Sequence, residues 1–320
     1  MKKWTIWLII ALCLIILGGG IFVAVLAVND WDFSKFGGGR YETKTYTLEE
    51  EFENITIDTD TADVVFLPST DGKCKVVACE EEKQPYSVSV TDGTLNVKLV
   101  DERKWYDHIS IFNFEEAKLT VYLPQTEYGK LTLKSTTGDT DIPKNFTFAS
   151  VDIQATTGDV KFLGSSLGNI KIAVSTGDIT MDGAQAKGLD LTVTTGDIRL
   201  SNAVCEGIKI DVSTGKSKLE NVACKTLVSD GDTGDIELKN VIATESIYIE
   251  RDTGDVRFEG MDGGEITIET DTGDVTGTLL SDKIFFVETD TGDKNVPQTT
   301  TGGKCTITTD TGDISIRIAK

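Results

Sequence analysis

Carboxylates in a fixed register are the residues of this sequence best placed to do chemistry. A Thr-Gly-Asp tripeptide recurs, and in the C-terminal repeats the Asp after its glycine is Asp235, Asp255, Asp274, Asp293 or Asp313. In the same repeats the residue two before the glycine is also acidic: Asp232, Asp252, Asp271, Asp290 and Asp310. Earlier repeats carry hydroxyls there: Thr136, Thr156, Ser175, Thr194 and Ser213. If the repeats stack as strands, these carboxylates line one edge about 4.8 Å apart. Unit charges at that spacing repel by about 1 kcal/mol in bulk water and several-fold more at a surface dielectric of about 20. Hard oxygen ligands in a repeated array suit Ca²⁺, so a calcium edge over these Asp residues is one expectation. The other is a row of solvated carboxylates that bond N–H groups of their own turns and are screened by salt.

The other reactive types are sparse. Cys205 and Cys224 lie 19 residues apart, one repeat. Stacking would bring their Cα atoms within disulfide range, and a bridge and a pair of stacked thiols remain equal alternatives. Cys74 and Cys79 on one extended strand would be roughly 16 Å apart, too far to bridge. Cys13 falls in an apolar run, Cys305 falls at an inward position, and no CxxC motif occurs. The single histidine, His108, follows Trp105-Tyr106-Asp107 without a recognisable nucleophile or second ligand. It reads as a surface histidine. Asp-Thr-Gly triplets at 232–234, 252–254, 271–273, 290–292 and 310–312 match the aspartic-protease triplet. Their recurrence in one register makes them corners instead.

The elements that position these groups follow from the glycines. Gly138, Gly158, Gly177, Gly196, Gly215, Gly234, Gly254, Gly273, Gly292 and Gly312 are separated by 20, 19, 19, 19, 19, 20, 19, 19 and 20 residues. A fixed period of that size marks a solenoid, whose units bury their apolar faces only by stacking. Seven and five residues before the glycine stand apolar pairs such as Ile170/Ile172, Ile208/Ile210, Ile266/Ile268 and Phe285/Val287. Two and four after it stand pairs such as Val160/Phe162, Ile198/Leu200 and Ile314/Ile316. This period-two alternation predicts strand, Thr-Gly-Asp corner, strand and a looser return. The glycine is expected at positive φ, where other residues meet a steric penalty. Asn202, Asn221 and Asn240, each 19 apart, should form a ladder in the return. Lys216 replaces the corner Asp in one coil, and Pro297 with a second Thr-Gly at 301–302 predicts a bulged coil after Gly292.

Before the repeats the chain changes character. Trp4 to Val28 carries no charge, and such a run is long enough to cross a bilayer as a tilted helix. Lys2 and Lys3 precede it and Asp30 and Asp32 follow, so the positive-inside rule puts the N-terminus in the cytoplasm and the remainder outside. A cleaved signal peptide is the alternative; the length of the run and the lack of a small-x-small site weigh against it. Residues 1–28 are thus expected to be a cytoplasmic tip and anchor, 29–40 a Gly-rich linker, 41–130 an irregular β cap continuous with the solenoid, and 131–320 the solenoid itself. In the cap, Asp60-Thr61-Ala62-Asp63 looks like a degenerate corner. Asp71-Gly72 and Asp92-Gly93 read as hairpin turns, and Ile109/Ile111 as part of a strand.

The strings STTGDTDI, ATTGDVKF, VSTGDITM and VTTGDIRL, with LTVYLP before them, resemble the bacterial "putative adhesin" family of unknown function. The resemblance spans roughly residues 45–320 and implies a Thr-Gly-Asp β-solenoid exposed at the cell envelope, with no known activity. Lys216 and the Pro297 segment depart from its pattern.

Together these readings predict an all-β fold: a single-stranded parallel β-helix, or solenoid, of about ten 19–20-residue coils. It would be right-handed, as parallel crossovers are, about 50 Å long, and preceded by one transmembrane helix. A net charge of −21 disfavours nucleic acid as a partner, since that requires a basic surface. The expected function is a non-enzymatic envelope scaffold, adhesin-like module or envelope-stress accessory. It would be held to the cell membrane by its helix and would meet other envelope proteins or surface ligands. The alternative is a carbohydrate-active β-helix enzyme acting on envelope polysaccharide, which would need clustered Arg, Lys and acidic residues on one sheet face with aromatic platforms for sugar; a basic cleft on an outward face is its discriminator. All four Trp residues precede the solenoid. The last coil ends on Ile314, Ile316 and Ile318 with Arg317 and Lys320; as an open end it predicts end-to-end self-association.

Overall fold

In the computed structural model, residues 3–28, 31, 41–102 and 117–319 are described. His108 and the Ile109/Ile111 strand expectation lie outside them. The described residues form one helix, α1 (Lys3–Val28), and a single continuous sheet of 25 strands wound as a parallel solenoid.

The corners explain the period. Each corner glycine has positive φ, from +117° at Gly138 to +158° at Gly273. Space is a second constraint. A Cβ on Gly196 would lie 2.1 Å from the carbonyl oxygen of Gly177 in the coil below. The corners thus stack backbone on backbone, and only glycine satisfies both demands. Coils are joined by parallel ladders on both sides of the corner, such as Ile170↔Leu189 and Ile179↔Ile198. At the corner itself the Gly177 N–H donates to Thr195 C=O at 3.0 Å, and the Ile179 N–H to Asp197 C=O at 2.9 Å.

Inward residues build one core, including Ile153, Ile172, Leu191 and Ile210, all fully buried. Towards the N-terminal end it becomes aromatic: Phe66–Phe146, Phe146–Phe148 and Phe148–Phe162 have ring centroids 6.1, 6.5 and 6.4 Å apart. Such spacings lie within the favourable range for aromatic pairs. The Asn ladder forms as expected. Asn221 Nδ2 donates to Asn202 Oδ1 at 3.2 Å, and Asn240 Nδ2 to Asn221 Oδ1 at 3.0 Å. These residues have φ of +52°, +55° and +51°, and glycines 183 and 260 hold the equivalent place in adjoining coils at +76° and +65°. The column therefore selects residues that tolerate the left-handed region.

Both ends depart from sequence order. Strands β1 (Tyr41–Leu48), β2 (Asn54–Thr59), β3 (Ala62–Pro68), β4 (Cys74–Glu81), β5 (Tyr86–Thr91), β6 (Thr94–Leu99) and β7 (Ala117–Leu123) make the N-terminal end. β2 and β3 form a coil that stacks directly on the first Thr-Gly-Asp coil, with Ile55↔Leu131 and Val64↔Thr140. The Asp60–Asp63 segment is its corner, since Asp63 Oδ1 accepts the Asp139 N–H at 2.8 Å. β6 and β7 add the next layer, parallel to β2 and β3. Antiparallel strands then cover it: β5 on β6, β4 on β7, and β1 on β4. Asp92-Gly93 is the predicted hairpin turn, with φ of +49° and +67°. Asp71-Gly72 is not, because β3 and β4 flank it without pairing; each pairs with β7 instead. Buried Glu80 fastens this cap. Its carboxylate accepts from Lys44 Nζ at 2.6 Å, Tyr86 N–H at 2.7 Å and Tyr46 OH at 3.3 Å.

The C-terminal end overturns one expectation. The last coil is not the open end: its strand Gly303–Thr311 pairs on one side with the Gly273 coil (Ile268↔Ile307) and on the other with the Gly292 coil (Val287↔Ile307). Ile314 and Ile316 are consequently buried. The chain skips a level after Gly273, forms the outermost coil with strand Lys283–Thr291, loops through the Pro297 segment and returns into the gap. Lys283 bridges this skip. It is almost wholly buried and reaches past the inserted coil to Asp262 Oδ1 at 2.6 Å. Its route is open because Gly303 stands beside it in register.

Candidate functional site

The corner carboxylates form two bonded files along the stack, broken at Lys216. Asp139 Oδ1 accepts the Asp159 N–H, Asp159 Oδ1 the Asp178 N–H, and Asp178 Oδ1 the Asp197 N–H, each at 2.8 Å. Asp197 Oδ1 accepts the Lys216 N–H at 2.9 Å, so the departure at Lys216 ends the file without leaving a donor empty. The file restarts with Asp235 on the Asp255 N–H at 3.1 Å and Asp255 on the Asp274 N–H at 2.8 Å. It then follows the spatial order of the coils: Asp274 takes the Asp313 N–H and Asp313 the Asp293 N–H, both at 2.8 Å. The expectation that each Asp serves its own turn is thereby corrected. The partner lies one coil away, because the left-handed corner presents each N–H along the stack.

The remaining oxygens are partly neutralised by cations. Arg199 spans two corners, with contacts to Asp178 Oδ2 at 2.6 Å and Asp197 Oδ2 at 2.8 Å. Arg257 does the same for Asp235, at 3.2 Å, and Asp255. Lys216 adds a contact to Asp235 Oδ2 at 3.3 Å. Burial pushes the Asp178 carboxyl up, but the Asp197 N–H and Arg199 hold it below its ordinary value. Asp235 is held down in the same way by the Asp255 N–H and Lys216.

Asp232, Asp252, Asp271, Asp290 and Asp310 occupy a separate position at the end of the strand before each corner, and all are exposed. Among the described residues no group of three or more His, Cys, Asp or Glu side chains is disposed to hold a metal ion. Of the ten candidate Asp residues, Asp235, Asp255, Asp274 and Asp313 each accept a backbone N–H of the next coil, Asp293 at the end of the file gives its own N–H to Asp313, and the five that precede the glycines are open to solvent. One feature of this face was not read from the sequence. Arg251 is buried at an inward position, bonding Ser229 Oγ at 2.8 Å and the Glu250 carbonyl at 2.7 Å. Gly231 makes its room, since a Cβ there would lie 2.8 Å from the guanidinium. Burial lowers the Arg251 pKa to about 10, against the pull of Asp230 and Asp211. A glycine and an arginine at matching inward positions of adjacent coils were the available signal.

Cys205 and Cys224 are buried thiols, as are Cys74 and Cys305. Burial, and for Cys205 its neighbour Cys224, push the Cys205 and Cys224 pKa values up to about 12 and about 11. The strands after the corner carry a groove of about 540 Å³ lined by Lys218, Glu237, Lys239, Arg257, Glu259 and Arg317 above Phe258. It mixes signs instead of presenting a uniformly basic cleft.

Comparison with known proteins places the chain. A family profile described as Toastrack DUF4097 matches residues 52–221 and 206–320. No curated protein matches. Among solved structures, a "putative lipid binding protein" from Parabacteroides distasonis ATCC 8503 is 15% identical, with a TM-score of 0.50, over 76% of this chain and 99% of that one. A "putative adhesin" from Bacteroides fragilis NCTC 9343 is 20% identical, with a TM-score of 0.44, over 75% of this chain and 96% of that one. The first of these likenesses extends to the fold and no further.

Proposed function

The chain belongs to the Toastrack DUF4097 family, and from that premise we propose a membrane-anchored, non-enzymatic rod that works outside the cytoplasm. Its solenoid would serve as an adhesin-like or scaffold surface for envelope partners. The observation that carries this reading is α1. Its segment Trp7–Ala24 is apolar around its whole circumference, and none of it is buried against the rest of the protein. Among the described residues the buried solenoid core is made by residues 55–316, with none from the helix. A helix apolar on every side that packs on no protein finds its partner in lipid. Lys2 and Lys3 before it, against Asp30 and Asp32 after it, support the outward orientation of the solenoid.

The corner carboxylates support a structural role for the repeat. Their Oδ1 atoms accept backbone N–H groups, and Arg199, Arg257 and Lys216 take further oxygens. The test is a C-terminally tagged full chain in intact cells. We expect it to resist alkaline extraction from membranes and to lose its tag to protease added from outside. A soluble product whose N-terminus begins after the apolar run would overturn the anchor, and protection of the tag until lysis would overturn the orientation.

A further inference from the structure

The two ends of the solenoid are unlike. The N-terminal end, where the chain arrives from α1, is covered by the antiparallel strands β5, β4 and β1. The other end is bare. Among the described residues strand Lys283–Thr291 pairs with Gly303–Thr311 alone, so its outer edge presents unpaired backbone groups. Phe285 and Val287 occupy the inward positions that Ile266 and Ile268 hold, fully buried, two levels below, yet both are only half-buried. Ile284 is 40% exposed, Phe286 55% and Leu280 47%. An unpaired edge beside an uncovered core is a template for another strand.

We propose that this end binds a second copy of the same chain. The strands Lys283–Thr291 would pair antiparallel about a two-fold axis through Phe286, with the rods tip to tip. The proposal rests on the reading of the chain as an anchored rod only for its consequence, that joined tips would link two membranes. The pairing itself follows from the strand. Head-to-tail stacking would need uncovered core at the N-terminal end as well, and there β5 and β4 cover it, with Tyr86, Leu95 and Val97 buried. An isologous contact requires only self-complementarity, which the strand has. With Phe286 on the axis, Phe285 faces Val287 of the partner subunit, so the two cores meet as one. On the outer face, Ile284 lies opposite Glu288 of the partner subunit. Ile284 is in register with Lys304, whose ammonium lies 6.0 Å above the Phe286 ring. That places a cation beside each incoming carboxylate. The interface is small, and each chain carries a net charge of −21. Association should therefore be weak, with Kd on the order of 0.1 mM, and should tighten as salt screens the repulsion.

The experiment is sedimentation of residues 41–320, which contain every buried core residue described, none of them from the helix. A reversible monomer–dimer equilibrium is expected, strengthened by salt. Phe286→Asp and Phe286→Lys should each weaken it by about tenfold or more. Both should leave the melting temperature nearly unchanged, since the side chain is exposed. An equimolar mixture of the two variants should dimerise again, because the axis sets the new charges against each other. A strict monomer at millimolar concentration would overturn the proposal, as would dimers that survive Phe286→Asp. So would a mixture of the two variants that stays monomeric. The result does not depend on the anchor, which extraction and protease accessibility test separately.

Discussion

Replacing Asp274 separates the two roles a corner carboxylate could have. Its Oδ1 accepts the Asp313 N–H at 2.8 Å across 39 residues of sequence, joining the coil before the skipped level to the coil that fills it. Hydrogen bonds to charged groups contribute roughly 1.5–3 kcal/mol. This one is exposed, so water can replace the lost acceptor, and about 1–2 kcal/mol is the expected loss for Asp274→Ala. Asp274→Asn keeps an acceptor oxygen in place and removes one charge from an acidic edge, so its expected loss is under about 0.5 kcal/mol. The assay is thermal unfolding of residues 41–320, where a domain of this size loses about 2–4 °C per kcal/mol. It is read with amide exchange over 303–319, because stacked repeats can open locally. Exchange in that segment should rise in the Ala variant and change little in the Asn variant. Equal destabilisation by Asn and Ala would refute the acceptor role and leave the charge itself as the important property.

Further expectations follow from the same geometry. Millimolar CaCl₂ should raise the melting temperature no more than MgCl₂ at equal ionic strength, because most corner Asp residues already hold N–H groups; a calcium-specific rise lost on Asp252→Asn would establish the calcium edge. Asn221→Gly keeps the left-handed backbone and loses two ladder bonds, whereas Asn221→Ala adds about 1–2 kcal/mol of backbone penalty, so denaturant midpoints should rank wild type, Gly, Ala. Lys283→Met strands the Asp262 carboxylate and should cost about 3 kcal/mol by denaturant titration, with partial recovery in a Lys283→Met, Asp262→Leu double variant. Burial raises the Asp262 pKa, but Lys283 and Ser281 hold it below the ordinary value. Its contribution is therefore complete above the unfolded carboxyl pKa of about 4 and lost as pH falls through the lower folded value, and Asp262→Asn should flatten the acid limb of a pH–stability curve. With burial holding Cys74, Cys205 and Cys305 near pKa 12 and Cys224 near 11, a thiol reagent at pH 8 should label half-buried Cys79 first in folded 41–320; rapid loss of several thiols would contradict this.

The coil was legible because three signals share one period. The glycine fixes the corner, the apolar pairs fix the inside, and Asn202, Asn221 and Asn240 fix the return. Stacking order was not legible, for a physical reason. Every coil presents nearly the same inward pattern, so the Gly312 coil fits the Gly273 coil as well as its sequence neighbour does. Local detail decides. Lys294 stands two residues after Gly292, where the other coils have an inward Ile or Val, or the small Thr140 and Ser217, and it is exposed. A coil with a cation at that position can cover a neighbour on one side only and must therefore be terminal. The Pro297 segment supplies the slack for the chain to turn back. The same ambiguity hid the carboxylate partners. An Asp after a left-handed glycine can reach N–H groups of its own turn or of the next coil, and only the stacked geometry chooses between them.

A regular array also limits where function can reside. Where each coil repeats the bonds of the last, no point along the rod is chemically distinct, and specificity must come from the places where the repeat breaks. The breaks are few and have consequences. Lys216 interrupts the carboxylate file and pairs with the next Asp. Gly231 and Arg251 exchange an apolar contact for a buried cation beneath Asp211 and Asp230. Gly277, at an inward position that every other Thr-Gly coil fills with Leu, Phe, Ile, Met or Val, gives its space to the Phe258 ring. Lys283 holds the skipped level together. The last of these breaks leaves Phe285 and Val287 without a covering coil. Of the irregularities, it alone leaves apolar core surface and unpaired strand edge at the same place, and desolvation of that surface can drive association. On the proposed reading, a rod anchored at its capped end would meet its partners at the bare tip, and substitutions there should alter association while leaving the body of the rod intact.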